Sequence, residues 1–207
     1  MTVAQNNWYQ DNAPTFIAAT AQLDLSELYA HFLPLLPPQG RILDFGCGSG
    51  RDSLAFARAG FAVLGLDPCA AFVAHLRQES EQQGLVGVLE ARLGSVEALA
   101  EQERFEGIWA CASLLHLPKA ELPAVLARLA AALKPGGVLY ASFKHGSFAG
   151  ERNGRYFTDL EPEAAEALVA QTPGLVLREL WQTEDLRPER GESWLNVLAQ
   201  SNVSNTY

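Results

Sequence analysis

The sequence is short of cysteine, of basic residues and of long apolar runs, and each shortage excludes a class of protein. Its three cysteines, Cys47, Cys69 and Cys111, are too few and too widely spaced for a zinc module or a disulfide framework, so we expect a reducing, cytoplasmic location and no metal. No stretch approaches the roughly 18 apolar residues of a membrane span, and the first residues lack the basic and apolar segments of a secretory signal. The 15 basic against 24 acidic residues give a net charge of −9, which argues against nucleic acid as the main partner.

The composition is that of one ordinary globular domain. Of the 207 residues, 48% are hydrophobic and 19% are charged, and a chain of this length can bury a core without disulfide or metal support. Residues 1–38 are too few to hold a core of their own, so we predict an N-terminal helical cap over the cleft. Residues 39–201 form the predicted core, and residues 202–207 a disordered tail.

Strands and helices are predicted to alternate along the core. The predicted strands are 41–45, 61–66, 86–89, 105–111, 138–143, 175–183 and 193–200. The predicted helices are 18–32, 51–59, 70–83, 96–103, 122–133 and 161–171. Such alternation builds a parallel sheet with helices on both faces, and the short connection between the last two strands requires an antiparallel hairpin. The predicted fold is therefore α/β, a doubly wound, mostly parallel seven-stranded sheet with a C-terminal antiparallel hairpin.

A glycine-rich turn joins the first predicted strand to its helix. Gly46, Gly48 and Gly50 occupy alternate positions, where glycine permits positive φ and lets a ligand approach the backbone. In an open α/β sheet, ligands bind beyond the carboxyl ends of the strands at such a turn. Asp67 ends the next strand about 20 residues further on, the offset of a carboxylate that accepts hydrogen bonds from a ribose diol.

The spacing of the turn and the adjacent Asp44 indicate what the ligand is. The pattern G-x-G-x-G differs from the G-x-G-x-x-G of a pyrophosphate-binding turn. A carboxylate beside the turn repels phosphate and attracts a cationic ammonium group. A ligand that combines a ribose with a positively charged amino acid is S-adenosylmethionine.

These motifs resemble the class I S-adenosylmethionine-dependent methyltransferases. The resemblance is carried by residues 44–50 with Asp67, and by Leu133-Lys134-Pro135-Gly136-Gly137 before a strand, and it extends from about residue 41 to residue 200. The longer run over residues 46–54, followed by Gly60-Phe61-Ala62-Val63, is similar to the small bacterial methyltransferases of the tellurite-resistance type. The resemblance implies a Rossmann-like fold and S-adenosylmethionine as cofactor.

The resemblance also implies a set of cofactor-binding residues. The glycine turn surrounds the amino-acid end of the cofactor, Asp67 binds the ribose, and the next two residues lie beside the adenine. The family often places an acidic residue after the third strand to meet the adenine amino group, and Ser95 or the Val96 backbone stands there instead. With Asp44, the predicted cofactor-binding residues are Asp44, Gly46, Cys47, Gly48, Gly50, Asp67, Pro68, Cys69, Ser95, Val96, Ala112 and Ser113.

His116, which follows the fourth predicted strand, is the candidate catalytic residue. A base at this position could take a proton from a hydroxyl or thiol of the acceptor. The alternative is a histidine that fixes the loop or packs in the core. Tyr9 belongs to the N-terminal segment, which covers the cleft in many members of this family, so it is either a substrate contact or part of the packing of the cap.

Basic residues are concentrated in two loops of this acidic chain. One loop follows the fifth strand and the other is the turn of the C-terminal hairpin, and the topology brings both to the carboxyl edge of the sheet. Arginine suits fork-shaped contact with carboxylate or phosphate, so we predict a small anionic acceptor. Nearby acidic residues, Asp185 and Glu192 among them, could instead neutralise these cations in surface pairs. The predicted substrate-binding residues are Tyr9, Lys144, Arg155, Tyr156, Arg187 and Arg190.

Together these features predict an S-adenosylmethionine-dependent methyltransferase with a small-molecule acceptor. Aligning donor and nucleophile can contribute roughly 7–11 kcal/mol, so a strong catalytic base is not required. Two alternatives stay open: a methyltransferase-like protein that binds the cofactor and regulates a partner, and a nicotinamide-dependent oxidoreductase. The spacing of the glycine turn, Asp44 and the lack of a Tyr-x-x-x-Lys pair argue against the oxidoreductase. The sequence leaves the methylated atom and the oligomeric state open.

Overall fold

A seven-stranded sheet forms the centre of the molecule in the computed structural model, which describes residues 3–202. Its strands are β1 (Arg41–Phe45), β2 (Ala62–Asp67), β3 (Leu89–Leu93), β4 (Phe105–Ala110), β5 (Leu133–Lys144), β8 (Leu175–Glu184) and β9 (Ser193–Ser201). A separate hairpin consists of β6 (Ala149–Arg152) and β7 (Arg155–Thr158). The order in the sheet is β3-β2-β1-β4-β5-β9-β8, and β9 runs antiparallel to both of its neighbours while β1 to β5 are parallel. The predicted fold class is confirmed.

Helices cover both faces of this sheet. They are α1 (Val3–Thr20), α2 (Ser26–Phe32), α3 (Arg51–Arg58), α4 (Ala70–Gln82), α5 (Leu122–Ala132) and α6 (Pro162–Ala170). Successive side chains of a strand point to opposite faces, so Ile108 and Trp109 of β4 enter two different hydrophobic clusters. This double burial explains why the central strands are continuous apolar runs. Among the described helices none is long and apolar enough to cross a membrane.

The N-terminal region differs from its prediction. The single helix expected over residues 18–32 is wrong, because α1 ends at Thr20 and α2 begins only at Ser26. Between them the Asp24 carboxylate accepts a hydrogen bond of 2.8 Å from the Ser26 backbone N–H, a local turn that competes with a continuous helix. Tyr9 and Ala13 of α1 pack against α4 in a small hydrophobic cluster. The predicted tail, residues 202–207, lies outside the described residues except for residue 202.

Three core predictions are also corrected. The third strand lies at Leu89–Leu93 rather than 86–89, because this edge strand buries only alternate residues and Glu90 interrupts its apolar run. The helix predicted over 96–103 is a single 3-10 turn at Val96–Ala98, since the segment buries only Val96 and Leu99. The fifth strand begins at Leu133 rather than at residue 138, although α5 ends at Ala132 as the glycines predict.

The hairpin of β6 and β7 was predicted as a loop. Its two strands pair from Ala149 with Thr158 to Arg152 with Arg155. The turn is Asn153-Gly154, whose φ angles of 50° and 75° are those of the tight turn that suits the twist of paired strands. An Asn-Gly dipeptide is a strong hairpin signal in a sequence, so this element could have been found. It folds the segment after β5 back over the carboxyl edge of the sheet.

Candidate active site

A cavity of about 970 Å³ opens above the carboxyl ends of β1, β4 and β5. Its walls come from distant parts of the chain: α1 and the start of α2, the glycine turn, the segment after β4, the β6–β7 hairpin and the turn between β8 and β9. This is the place at which open α/β sheets bind ligands, and the size suits a small-molecule site.

The glycine turn between β1 and α3 forms one wall of the cavity. Gly46, Gly48 and Gly50 have φ angles of 75°, 50° and 77°, a region that favours glycine. A Cβ on Gly46 would lie 2.5 Å from the Cβ of Ser113, so this glycine is required for close packing of the chain after β4. A Cβ on Gly48 would lie 3.3 Å from the ring of Phe16, so α1 lies directly over the turn.

Asp44 lies at the end of β1, buried beside the glycine turn. Its carboxylate accepts a hydrogen bond of 2.5 Å from Ser53 Oγ, and only 2% of the residue is exposed. Burial, together with the negative charge of Asp52, raises the pKa of Asp44 to about 8. A carboxyl group in this state binds a proton or a cationic ligand group more tightly than an exposed one does.

Asp67 ends β2 on the other side of the glycine turn. Its two oxygens accept hydrogen bonds from the backbone N–H groups of Gly48, at 2.9 Å, and Cys69, at 2.8 Å. Burial raises the pKa of Asp67 to about 6 in spite of these bonds. The carboxylate therefore fixes the turn, and its remaining lone pairs are available to hydroxyl donors.

Asp52, at the start of α3, is held in a different state from Asp44. Burial alone would raise its pKa, but the Arg51 guanidinium and hydrogen bonds from Tyr29 and Trp109 lower it. Arg51 donates through Nε at 2.6 Å and Nη2 at 2.9 Å, and Tyr29 Oη and Trp109 Nε1 donate at 2.6 Å and 2.8 Å. These contacts engage both carboxylate oxygens, so Asp52 joins α2 to β4 and its charge is paired with Arg51.

His116 contacts both α1 and β7. Its Nδ1 lies 2.8 Å from the backbone oxygen of Tyr156, and its Nε2 lies 2.6 Å from Tyr9 Oη. A carbonyl only accepts, so Nδ1 carries the proton and Nε2 accepts from the Tyr9 hydroxyl. Burial lowers the pKa of His116 to about 4, so the imidazole is neutral at pH 7.

The far end of the cavity is lined by cations. These are Lys144, Arg152, Arg155, Arg187 and Arg190. Three of them are paired with acids: Lys144 with Glu192, Arg152 with Asp159, and Arg187 with Asp185. Arg155 has no acidic partner among residues 3–202, and its guanidinium lies 4.3 Å from the ring centre of Trp8. Its Nε is buried without a hydrogen-bond acceptor.

The predicted site residues fall into two groups. Those that line the cavity are Tyr9, Gly46, Cys47, Gly48, Ala112, His116, Lys144, Arg155, Arg187 and Arg190. Those outside its lining are Asp44, Gly50, Asp67, Pro68, Cys69, Ser95, Val96, Ser113 and Tyr156. The cavity stops short of the predicted adenine side because α1 packs there, with Tyr9 in contact with Phe72 and Gln10 bonded to Cys69.

Ser95 and Val96 are already engaged within the protein. Ser95 Oγ donates to the Glu97 carboxylate, and the Val96 carbonyl accepts from Arg128 at 3.3 Å. The Val96 side chain is buried in the core. Contact of either residue with an adenine amino group stays a prediction.

Several cavity residues were missed by sequence reasoning. Tyr140 Oη on β5 donates to Asn196 Oδ1 on β9 at 2.7 Å, and Asn196 Nδ2 donates to Thr183 Oγ1 at 3.1 Å. Ser142 pairs with Asn196 in the sheet and accepts from the Ala112 N–H at 2.9 Å. Polar residues within otherwise apolar strands were the available signal, since buried polar groups need partners.

Comparison with known proteins gives a family match over part of the chain. Residues 42–137 match the methyltransferase domain family. The ubiquinone biosynthesis O-methyltransferase of Nitrobacter winogradskyi is 38% identical over 102 residues, which are 49% of this chain and 38% of that protein. The chain thus spans less than half the length of the curated relatives it matches. The family match supports the predicted enzyme class and includes the glycine turn and Asp67.

Solved structures confirm the predicted Rossmann-like methyltransferase fold. The 1,6-didemethyltoxoflavin-N1-methyltransferase of Burkholderia thailandensis, which contains S-adenosylhomocysteine, is similar with a TM-score of 0.77 and 18% identity over 95% of this chain and 87% of its own. The [4+2]-cyclase SpnF is similar with a TM-score of 0.78 and 18% identity over 97% and 96% of the two chains. Since a cyclase shares the architecture, the fold by itself does not decide the reaction.

Proposed function

We propose that this chain is an S-adenosylmethionine-dependent methyltransferase that acts on a small, anionic acceptor. The observation that carries the proposal is the glycine turn at the cavity wall, with the buried Asp44 beside it and Asp67 bonded to the Gly48 N–H. The family match over this segment supports it. When bound, S-adenosylmethionine supplies a methyl group already activated by the sulfonium.

The residues present fit such a ligand. Gly48 offers backbone with no Cβ at the cavity wall, and Asp67 has carboxylate lone pairs for the ribose hydroxyls. Asp44 supplies negative charge for the ligand's ammonium group. Residues 1–38, with Tyr9 and Phe16 over the turn, serve as the predicted cap and exclude water from the cavity. The chain itself mainly binds and aligns the reactants.

The proposed acceptor carries a carboxylate or phosphate that pairs with Arg155. This guanidinium lines the cavity without an acidic partner among the described residues, whereas Lys144 and Arg187 are neutralised by neighbouring acids. Oxygen is the proposed methylated atom, since the curated relatives are named O-methyltransferases of ubiquinone biosynthesis. The similarity to the tellurite-resistance type rests on residues 46–54 and 60–63 and stays a prediction.

A screen for S-adenosylhomocysteine release tests the proposed function. The purified chain is incubated with S-adenosylmethionine and a panel of small hydroxy acids, phenols, amines and thiols. We expect turnover with anionic hydroxyl compounds. For the compound that reacts fastest, Arg155→Ala should raise the Michaelis constant at least ten-fold. Arg104→Ala, an exposed arginine after the turn that precedes β4, is the matched control. A regulatory, non-catalytic protein would bind S-adenosylhomocysteine but would not form it from S-adenosylmethionine with any acceptor.

Calorimetry tests the cofactor separately. Asp67→Ala removes charge-assisted hydrogen bonds worth about 1.5–3 kcal/mol each, so affinity for S-adenosylhomocysteine should fall at least ten-fold. Tight binding of NAD with no response to S-adenosylhomocysteine would contradict the proposal and favour an oxidoreductase.

A further inference from the structure

A hydrogen bond inside the cavity joins α1 to the short turn after β4. Tyr9 Oη and His116 Nε2 are 2.6 Å apart, and each residue is only 5% exposed although both line the cavity. We propose that Tyr9 and His116 form a proton relay that removes the proton of an acceptor hydroxyl during methyl transfer. This inference rests on the proposed function and assigns how that site handles the proton.

The direction of the relay is fixed by the backbone of β7. Because His116 Nδ1 must donate to the Tyr156 carbonyl, Nε2 presents a lone pair to the Tyr9 hydroxyl. The Tyr9 proton can therefore move to Nε2, and the Tyr9 oxygen can take a proton from the cavity. The tautomer of His116 is thus set by the backbone of Tyr156, which is 40 positions away in the sequence and takes no part in the proton transfer.

Arg155 stabilises the charge that this transfer creates. Its Nη1 lies 3.4 Å from Tyr9 Oη, so the guanidinium faces the oxygen that becomes negative while the proton is in transit. It lacks an acidic partner among residues 3–202, and its positive charge opposes the effect of burial, which raises the pKa of Tyr9. The other charged groups that face the pair are Asp67 on the Tyr9 side and Lys144 on the His116 side.

The proton balance of the step is complete within the site. The acceptor oxygen forms a bond to the methyl carbon as the sulfur–carbon bond breaks, and that electron pair stays on sulfur. The acceptor proton passes to Tyr9 Oη, and the Tyr9 proton passes to His116 Nε2. The imidazolium then loses its proton to solvent, which restores the starting state.

The weak basicity of His116 selects the class of acceptor. Its pKa of about 4 makes it a poor base toward an ammonium group, which holds its proton more tightly than an imidazolium does. A methylated hydroxyl that still carries its proton is a far stronger acid than an imidazolium, so transfer to Nε2 is downhill. The relay therefore serves oxygen acceptors and leaves amine acceptors unassisted.

Two substitutions that preserve packing test the relay. Tyr9→Phe keeps the ring against its neighbours and removes the hydroxyl. His116→Gln can still accept from Tyr9 and donate to the Tyr156 carbonyl, but it takes up no proton at neutral pH. His75→Gln on α4 is the control histidine. The probes are protocatechuate, a catechol carboxylate, and 4-(aminomethyl)benzoate, an alkylamine carboxylate, with S-adenosylhomocysteine for binding.

We expect each relay variant to lower kcat for protocatechuate about 100-fold, with the dissociation constant of S-adenosylhomocysteine within two-fold of wild type. The rate on 4-(aminomethyl)benzoate should be unchanged. Equal loss on both probes, or a kcat within a few-fold of wild type for His116→Gln, would overturn the relay.

Nuclear magnetic resonance gives a readout that needs no turnover. Long-range proton–nitrogen spectra of the S-adenosylhomocysteine complex should show neutral His116 at pH 7 with the proton on Nδ1, and Tyr9→Phe should shift the Nε2 signal. An imidazolium, or a proton on Nε2, would refute the relay. Absence of turnover across the whole acceptor panel overturns the proposed function, whereas the tautomer measurement tests the relay independently.

Discussion

Replacing the carboxyl group of Asp44 by an amide should stabilise the unliganded protein at neutral pH. Asp44→Asn keeps the shape of the side chain, and the amide oxygen can still accept the hydrogen bond from Ser53. The amide does not titrate. The variant therefore isolates the loss of folding stability that comes from a titrating acid in this buried position beside Asp52. It also removes the negative charge that is proposed to attract the ammonium group of the cofactor.

The size of the effect follows from the pKa of Asp44, about 8 in the folded chain against about 3.9 in an unfolded one. Between these values the folded state retains a proton that the unfolded state has released. The stability that Asp44 contributes is thus fully present below about pH 4 and is lost as the pH rises through about 8. The loss is about 1.4 kcal/mol per pH unit, or about 2–3 kcal/mol from pH 5 to pH 7.

Urea unfolding followed by tryptophan fluorescence at pH 5, 6, 7 and 8 measures this difference. The free energy of unfolding of Asp44→Asn minus that of the wild type should increase by about 2–3 kcal/mol from pH 5 to pH 7. Asp11→Asn, which alters an exposed carboxylate of α1, is the control variant. Parallel pH profiles for Asp44→Asn and the wild type would refute the reasoning.

Two further predictions concern the packing of the site. Gly46→Ala should destabilise the chain more than Gly60→Ala does, because both glycines have positive φ but only a Cβ at position 46 meets Ser113, at 2.5 Å. Thermal unfolding measures the stability of the two variants. Equal losses of stability would mean that backbone strain alone matters. Asp52→Ala should cost about 3–5 kcal/mol in urea unfolding, because it leaves the Arg51 guanidinium half-buried without its acid. A loss below 1 kcal/mol would show that solvent reaches Arg51.

Local sequence patterns were sufficient for the elements that lie within one run of residues. The strand at Arg41–Phe45 was predicted residue for residue, because a short apolar run that ends in glycines is typical of a buried parallel strand, and its three central residues are buried. The antiparallel closing hairpin followed from the short connection alone. The enzyme class and the cofactor also followed from local residues, the glycine turn and the acid after β2, and the family match supports them.

The positions of helices and strands were mispredicted where two local signals in the sequence favour different structures or where the local signal is weak. Residues 18–32 carry helical spacing throughout, yet the Asp24 carboxylate bonded to the Ser26 N–H divides them into two helices. The β3 edge strand has one partner strand and alternating burial, so its position along the chain is weakly marked. The β6–β7 hairpin has a local signal, the Asn153-Gly154 dipeptide of its turn.

The sequence by itself determined the sheet, the glycine turn and which residue types stand at the carboxyl edge. Only the tertiary structure decided which of them meet. Tyr9 and His116 are 107 positions apart, and Arg155 is 146 positions from Tyr9. The pairing of Arg187 with Asp185, while Arg155 has no acidic partner among residues 3–202, depends equally on side-chain placement. Short-range patterns record the burial and backbone preference of each residue, whereas contacts between distant segments, and the pKa shifts that depend on them, arise only when the packed helices and strands fix those segments against one another.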